Sequence, residues 1–172
     1  MKQGFIHVYT GNGKGKTTAA LGLALRAAGA GQSVYIGQFL KKGNFSELKA
    51  LKRFKDLIVT EQFGKKTFII NEPNKNDILI AQNAFKTIRN VIENGKFKIV
   101  ILDEINCALK LQLIDLKDFL NVLKEKPKHV EIVLTGRDAP KEIINIADLV
   151  TEMKEIKHYF HKGIIARIGI EK

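Results

Sequence analysis

The sequence predicts a single-domain, doubly wound α/β fold with a mainly parallel sheet, and three observations predict it. Apolar runs of strand length alternate with segments of helical periodicity along all 172 residues, the pattern of βαβ units. No linker, internal repeat or low-complexity tract interrupts the alternation, so one domain spanning residues 1–172 is expected. A hydrophobic content of 45 % suffices to fill one sizeable core.

The elements follow in order. Phe5–Thr10 reads as a buried first strand, and Thr17–Ala28 as an alanine- and leucine-rich helix stopped by Gly29 and Gly31. Ser33–Leu40 is a second strand. Asn44-Phe45-Ser46-Glu47 resembles a capping box that opens a short helix through Phe54, and Leu57–Thr60 fits a third strand. Asn71–Asn76 has loop composition. Ala81, Ala84, Phe85, Ile88, Val91 and Ile92 then recur at helical spacing before Gly95 supplies a left-handed stop. Phe97–Leu102 is a continuous apolar strand of the kind buried on both faces, and it ends at Asp103-Glu104. Leu116, Phe119, Leu120 and Leu123 mark another helix, closed by Pro127, and Val130–Leu134 is a core strand running into Thr135-Gly136-Arg137. Pro140 suits the first position of a helix reaching about Ala147, and Leu149–Met153 and Ile164–Ile170 are expected as final strands.

Composition narrows the setting. A lone cysteine, Cys107, cannot close an internal disulfide, which argues for a cytoplasmic compartment. The N-terminus is too short and polar for a signal segment, and no run approaches the ~18 apolar residues of a membrane span, so a soluble protein is expected. A formal charge of +11, from 29 Lys and Arg against 18 Asp and Glu, would attract polyanions. The lysines are scattered without interleaved aromatics, which favours capture of a phosphorylated ligand over a nucleic-acid partner.

The strongest local signal is Gly11-Asn12-Gly13-Lys14-Gly15-Lys16-Thr17-Thr18, preceded by Thr10, between a strand and a helix, the context of a P-loop. Glycines let successive amides turn inward onto phosphate oxygens, and the helix N-terminus adds its dipole. Lys16 would offset phosphate charge, and the Thr17 hydroxyl is placed to ligate Mg²⁺ or Mn²⁺. In G-x-x-x-x-G-K-[ST] the first glycine position falls on Thr10, with Gly11 beside it, a departure from the pattern. The second signal, Ile99-Val100-Ile101-Leu102-Asp103-Glu104, resembles a Walker B strand, expected beside the P-loop strand. Asp103 would hold the metal, and Glu104 would either contact it or act as a base on water. Together these predict a sheet of P-loop NTPase type that binds ATP or GTP.

Further residues narrow the class. Thr10 to Ala20, Leu102-Asp103-Glu104-Ile105, Thr135-Gly136-Arg137 and the tail from Glu155 through Lys157-His158, Phe160, Gly163, Ala166, Gly169 and Ile170, in this order, resemble the cobalamin (corrinoid) adenosyltransferase family whose P-loop reads GNGKGKTT. The resemblance covers almost the whole chain, and Thr before GNGKGKTT is the family's own form. It implies transfer of the 5′-deoxyadenosyl group of ATP to the Co(I) of cobalamin, cobinamide or cobyrinic acid a,c-diamide, with release of triphosphate. Co(I) is already a strong nucleophile, so no protein base is needed, and Lys16, Mg²⁺ and the loop amides would stabilise the leaving group. Arg137 would add a cation or form a structural salt bridge, and Glu104 would serve the metal. The resemblance also implies a flavoprotein reductase as electron donor and a homodimer.

Members weaken the lower axial ligand of cobalt with aromatics from a loop that often reads G-F-T-W. This chain has no tryptophan, and Thr67-Phe68-Ile69-Ile70 is the nearest counterpart, with Phe68 either the wedge or simply core. The sequence starts at the first strand, so corrinoid closure is expected to be partial or supplied by a second subunit. His158 and His161 read as structural or substrate-contacting, His7 as a satisfied core histidine, and Cys107 as a small buried residue. Two other classes share the loop: a P-loop ATPase acting on nucleic acid, with Glu104 activating water, and a nucleotide-binding switch without turnover.

Overall fold

A computed structural model describes residues 3–65 and 72–172. Six strands form one parallel sheet: β1 (Ile6–Thr10), β2 (Val34–Phe39), β3 (Ile58–Phe63), β4 (Ile99–Asp103), β5 (Glu131–Thr135) and β6 (Leu149–Glu152), in the spatial order β3-β2-β4-β5-β1-β6. The helices are α1 (Lys16–Gly29), α2 (Ser46–Leu51), α3 (Lys75–Glu93), α4 (Ile105–Lys110), α5 (Leu116–Glu125) and α6 (Lys141–Ile146).

The sheet divides two cores, because alternate residues of a strand point to opposite faces. Val100 and Leu102 of β4 join Ile88 and Ile92 of α3 and Phe119 and Leu123 of α5. Ile99 and Ile101 pack against Ala20, Ala24, Ala27 and Ala28 of α1. Small side chains along α1 bring that helix close to the sheet, which fixes its N-terminus at the end of β1.

Several expectations are corrected. The β4 strand does not lie beside β1: β5 pairs with both, Ile6 opposite Ile132 and Ile99 opposite Glu131, so one strand separates the two motifs. All six strands are parallel, and Ile164–Ile170 forms none of them. Ile165 and Ile168 are 78 % and 82 % exposed, and Gly163 and Gly169 turn the chain at φ +78.

The capping box at Asn44–Glu47 is absent. Phe45 occupies the cap position of α2 without a side-chain bond, and the Ser46 hydroxyl donates to the carbonyl of Lys172 instead. The working box lies in the stretch read as loop: Asn74 Oδ1 accepts from the amides of Asn76 and Asp77, and Asp77 Oδ2 accepts from the Asn74 amide. Pro140 precedes α6 as its cap residue, one position earlier than expected. Helix α4 was not anticipated, since its six residues are too few to show a period.

Candidate nucleotide site

The C-terminal ends of β1, β4 and β5 converge on a cleft of about 810 Å³. Its wall includes Asn12, Gly13, Lys14, Gly15, Lys16, Thr17 and Thr18, with Lys41, Glu104 and Arg137 around the rim. Thr10 and Gly11 stand behind this wall. The Thr10 hydroxyl accepts from the Ala139 amide at 3.2 Å, tying the loop to the connection after β5.

The loop needs its glycines for two separate reasons. Gly11 and Gly15 have φ of +94 and +123, which strains any residue with a Cβ. The loop also lies directly on the end of β6: the Gly13 amide donates to Met153 O at 2.7 Å, and a Cβ on Gly11 would sit 2.5 Å from that oxygen.

Lys16 opens α1 and folds back into the loop, donating to Gly11 O and Gly13 O at 2.7 Å each. Burial pulls its pKa below the ordinary lysine value. Two backbone carbonyls are weak partners for a partly desolvated ammonium, so the site is poised to exchange them for an anion.

Beneath the cleft, Asp103 is 1 % exposed and every side of its carboxylate is engaged. Oδ1 accepts from Thr17 Oγ1 at 2.8 Å and Thr135 Oγ1 at 2.7 Å. Oδ2 accepts from Lys41 Nζ at 2.7 Å and Gln38 Nε2 at 3.2 Å. The P-loop hydroxyl thus meets the β4 carboxylate across the intervening strand, because Thr135 of β5 fills the gap. Thr17 and Asp103 are oxygen donors suited to a hard divalent cation.

Glu104 caps α4 from the left-handed region at φ +61, and its amide donates to Thr135 Oγ1 at 3.0 Å. That turn swings its carboxylate to the cleft, where Oε2 accepts from Cys107 Sγ at 3.0 Å. Burial, then the neighbouring Glu104 charge, pushes the Cys107 thiol up to about 12, so it stays protonated, although the residue is only partly buried and not the fully buried one expected. Arg137 is exposed, and among the described residues it forms no ion pair. It lines both the main cleft and an adjoining open depression, of about 670 Å³, that also includes Asn12 and Lys154.

The C-terminal tail lies over the other rim. Lys14 Nζ donates to Glu171 Oε1 at 2.8 Å and to the Tyr159 hydroxyl at 3.1 Å, and Tyr159 also donates to Glu171. His158 lines the cleft and caps a 3₁₀ turn at Tyr159–Lys162, accepting from the Phe160 amide, while His161 pairs with Glu155 at 2.5 Å. His7 is only half satisfied: Nε2 meets Glu131 at 2.6 Å, but Nδ1 is buried without a partner. Phe68 lies outside the described residues.

Sequence reasoning gave no role in the site to Lys41, Gln38 or Thr135. Thr135 was within reach, since it ends a core strand. Lys41 was read as one of many scattered surface lysines, and only the sheet order shows that β2 delivers it beside β4. Among the described residues no group of three or more His, Cys, Asp or Glu could hold a metal, and no helix is long and apolar enough to cross a membrane.

Comparisons agree with this geometry. A structure of a KaiC-like protein from Pyrococcus horikoshii OT3 is similar with a TM-score of 0.58 at 19 % identity, over 90 % of this chain and 75 % of that one, a likeness of fold. A corrinoid adenosyltransferase from Sinorhizobium sp. is 37 % identical over 99 % of this chain and 81 % of its own length. One from Escherichia coli K12 is 32 % identical over 99 % and 86 %. The family model for ATP:corrinoid adenosyltransferases BtuR/CobO/CobP matches residues 2–171. With a P-loop, an acidic strand end and a tail meeting at one cleft in a chain matched over nearly its full length, the protein belongs to the ATP:corrinoid adenosyltransferase family.

Proposed function

We propose that this chain transfers the 5′-deoxyadenosyl group of ATP to the Co(I) of a corrinoid, either cobalamin, cobinamide or cobyrinic acid a,c-diamide. The cobalt lone pair attacks C5′, the cobalt–carbon bond forms, and the C5′–O bond breaks with its electron pair leaving on triphosphate. The observation that carries this reading is the buried Lys16 ammonium, held only by its own loop carbonyls in the cleft wall formed by Asn12 to Thr18. Such a cradle stabilises a leaving polyphosphate, and the reaction asks for no proton transfer.

Each residue then has a task. Gly11, Gly13 and Gly15 shape the loop, Thr10 braces it, and Lys14, Lys16 and Thr18 line the phosphate wall. Thr17 and Asp103 would hold Mg²⁺ or Mn²⁺, with Glu104 next along the chain; the Lys41 ammonium already standing there supports the fit of a cation. That cation supplies charge neutralisation for the triphosphate. Arg137, shared between the two depressions, would face both substrates. Phe68 remains the proposed aromatic at the lower face of the corrinoid.

Around this core, a flavoprotein reductase would deliver Co(I), and the cytoplasm suits a chain with one free thiol. A homodimer would cover the exposed apolar side chains of Leu149, Val150, Ile156, Ile165 and Ile168. A single domain over residues 1–172 accounts for the one sheet. The decisive experiment reduces a corrinoid chemically without oxygen, adds protein, ATP and Mg²⁺, and follows the visible spectrum while identifying the phosphate product. Triphosphate with a new alkyl–cobalt spectrum is expected. ADP and inorganic phosphate, with Co(I) untouched, would sink the reading in favour of an ATPase.

A further inference from the structure

The Lys41 side chain is placed with unusual care. Its ammonium lies 2.7 Å from Asp103 Oδ2 and 3.3 Å from Thr17 Oγ1, between the two groups assigned above to the metal. Two features of the backbone aim it there. Leu40, immediately before it, sits in the left-handed region at φ +57, which a branched-chain residue seldom occupies. Gly64, at the end of the neighbouring strand, leaves the passage: a Cβ there would lie 2.5 Å from the Lys41 amide nitrogen. A salt bridge serving stability alone needs neither device, and it need not line a nucleotide cleft, as Lys41 does.

We propose that Lys41 is the built-in counter-cation of the Thr17–Asp103 corner, excluding a divalent ion until a nucleotide brings phosphates to receive the displaced ammonium. This rests on the reading that Thr17 and Asp103 form the metal site. Without nucleotide, a divalent ion must evict the ammonium from its 2.7 Å contact with Asp103, and no phosphate stands ready to receive it. With a triphosphate in the cradle, the same ammonium moves onto phosphate oxygens and the ion takes its place at Asp103. Lys41 is thus a positioning residue for ion entry, and the site loads nucleotide and ion together.

The test titrates Mn²⁺ into nucleotide-free protein and follows free ion by electron paramagnetic resonance, then repeats the titration with ATP and no corrinoid. In K41M the nucleotide-free protein should bind Mn²⁺ about tenfold or more tightly than wild type, the scale of a coupling between two competing charges. ATP should strengthen Mn²⁺ binding less in K41M than in wild type, and K41R should behave like wild type. K41Q, which keeps a hydrogen bond without charge, replaces K41M if that variant does not fold, and the same tightening is expected. Unchanged or weaker Mn²⁺ binding by nucleotide-free K41M or K41Q overturns the proposal while leaving the metal reading standing. If D103N binds Mn²⁺ as wild type does in the presence of ATP, the metal reading fails and the proposal falls with it.

Discussion

Two carboxylates in this molecule are gripped in nearly the same way, and they differ in almost everything else. Asp103 is held by Thr17, Thr135, Gln38 and Lys41 beneath the sheet edge. Glu171 is held by Lys14, Arg167 and Tyr159 at the surface, on a tail without regular strands. The partner lists look alike, but water decides what each is worth. The Asp103 carboxylate itself is 1 % exposed, so losing one partner leaves a buried ion that water cannot readily reach. Around Glu171 solvent replaces whatever is lost, and ion pairs of that kind contribute little. The corner is therefore framework and chemistry at once, whereas the tail is a clasp that can open.

The largest effect should come from Lys16, where the corner meets substrate. Lys16→Met removes the cation facing the leaving group, and turnover should fall roughly 10²–10³-fold, as for loss of one preorganised donor to a developing charge. Alkyl–cobalt formation under reducing conditions measures it. The thermal midpoint should change little, because the ammonium is held only by loop carbonyls. A large loss of stability would break the comparison by making Lys16 framework.

Asp103→Ala tests the framework side. It strands Lys41 and leaves the Thr17 and Thr135 hydroxyls without the acceptor they donate to, which should cost about 3 kcal/mol in urea unfolding, the low end for a broken buried pair because Lys41 can still reach water. Gly15→Ala comes next. The φ of +123 penalises a Cβ by about 1 kcal/mol or more, yet the nearest obstacle is only the flexible Met153 side chain at 3.3 Å. ATP affinity should therefore drop more than stability does, which isothermal titration beside thermal melting would show.

How far the sequence could be read follows the same division. The P-loop and the strand ending in Asp103-Glu104 were legible because their signals are local: glycine spacing, an apolar run, a helix start. Their mutual placement was not, because the strand between them, β5, enters from about thirty residues downstream, and sheet order is set by packing. Lys41 was hidden for the same reason, since one lysine among many has no local mark. The tail failed differently. Its residues carry a recognisable motif, yet its isoleucines imitate a strand, and Ile164–Ile170 pairs with neither edge strand, β3 or β6, but stays irregular with Ile165 and Ile168 exposed.

The smallest expected effect is also the one that separates the two carboxylates most cleanly. Arg167, then Lys14 and Tyr159, hold the Glu171 carboxyl well below its ordinary value of 4.5. A depressed folded pKa means that the clasp is fully made above the ordinary value and is lost as pH falls through the depressed one. Protection of amides in 155–172, relative to the unstructured exchange rate at each pH, should thus stay constant from neutral pH to about 5, then fall under acid before the sheet itself loosens. Glu171→Gln removes the titrating group, so the tail should exchange quickly and without that acid step, while urea stability of the sheet stays near wild type. If the variant instead lowered the global stability as Asp103→Ala does, the tail would be part of the framework, and the distinction between a buried grip and a solvated one would fail in this molecule.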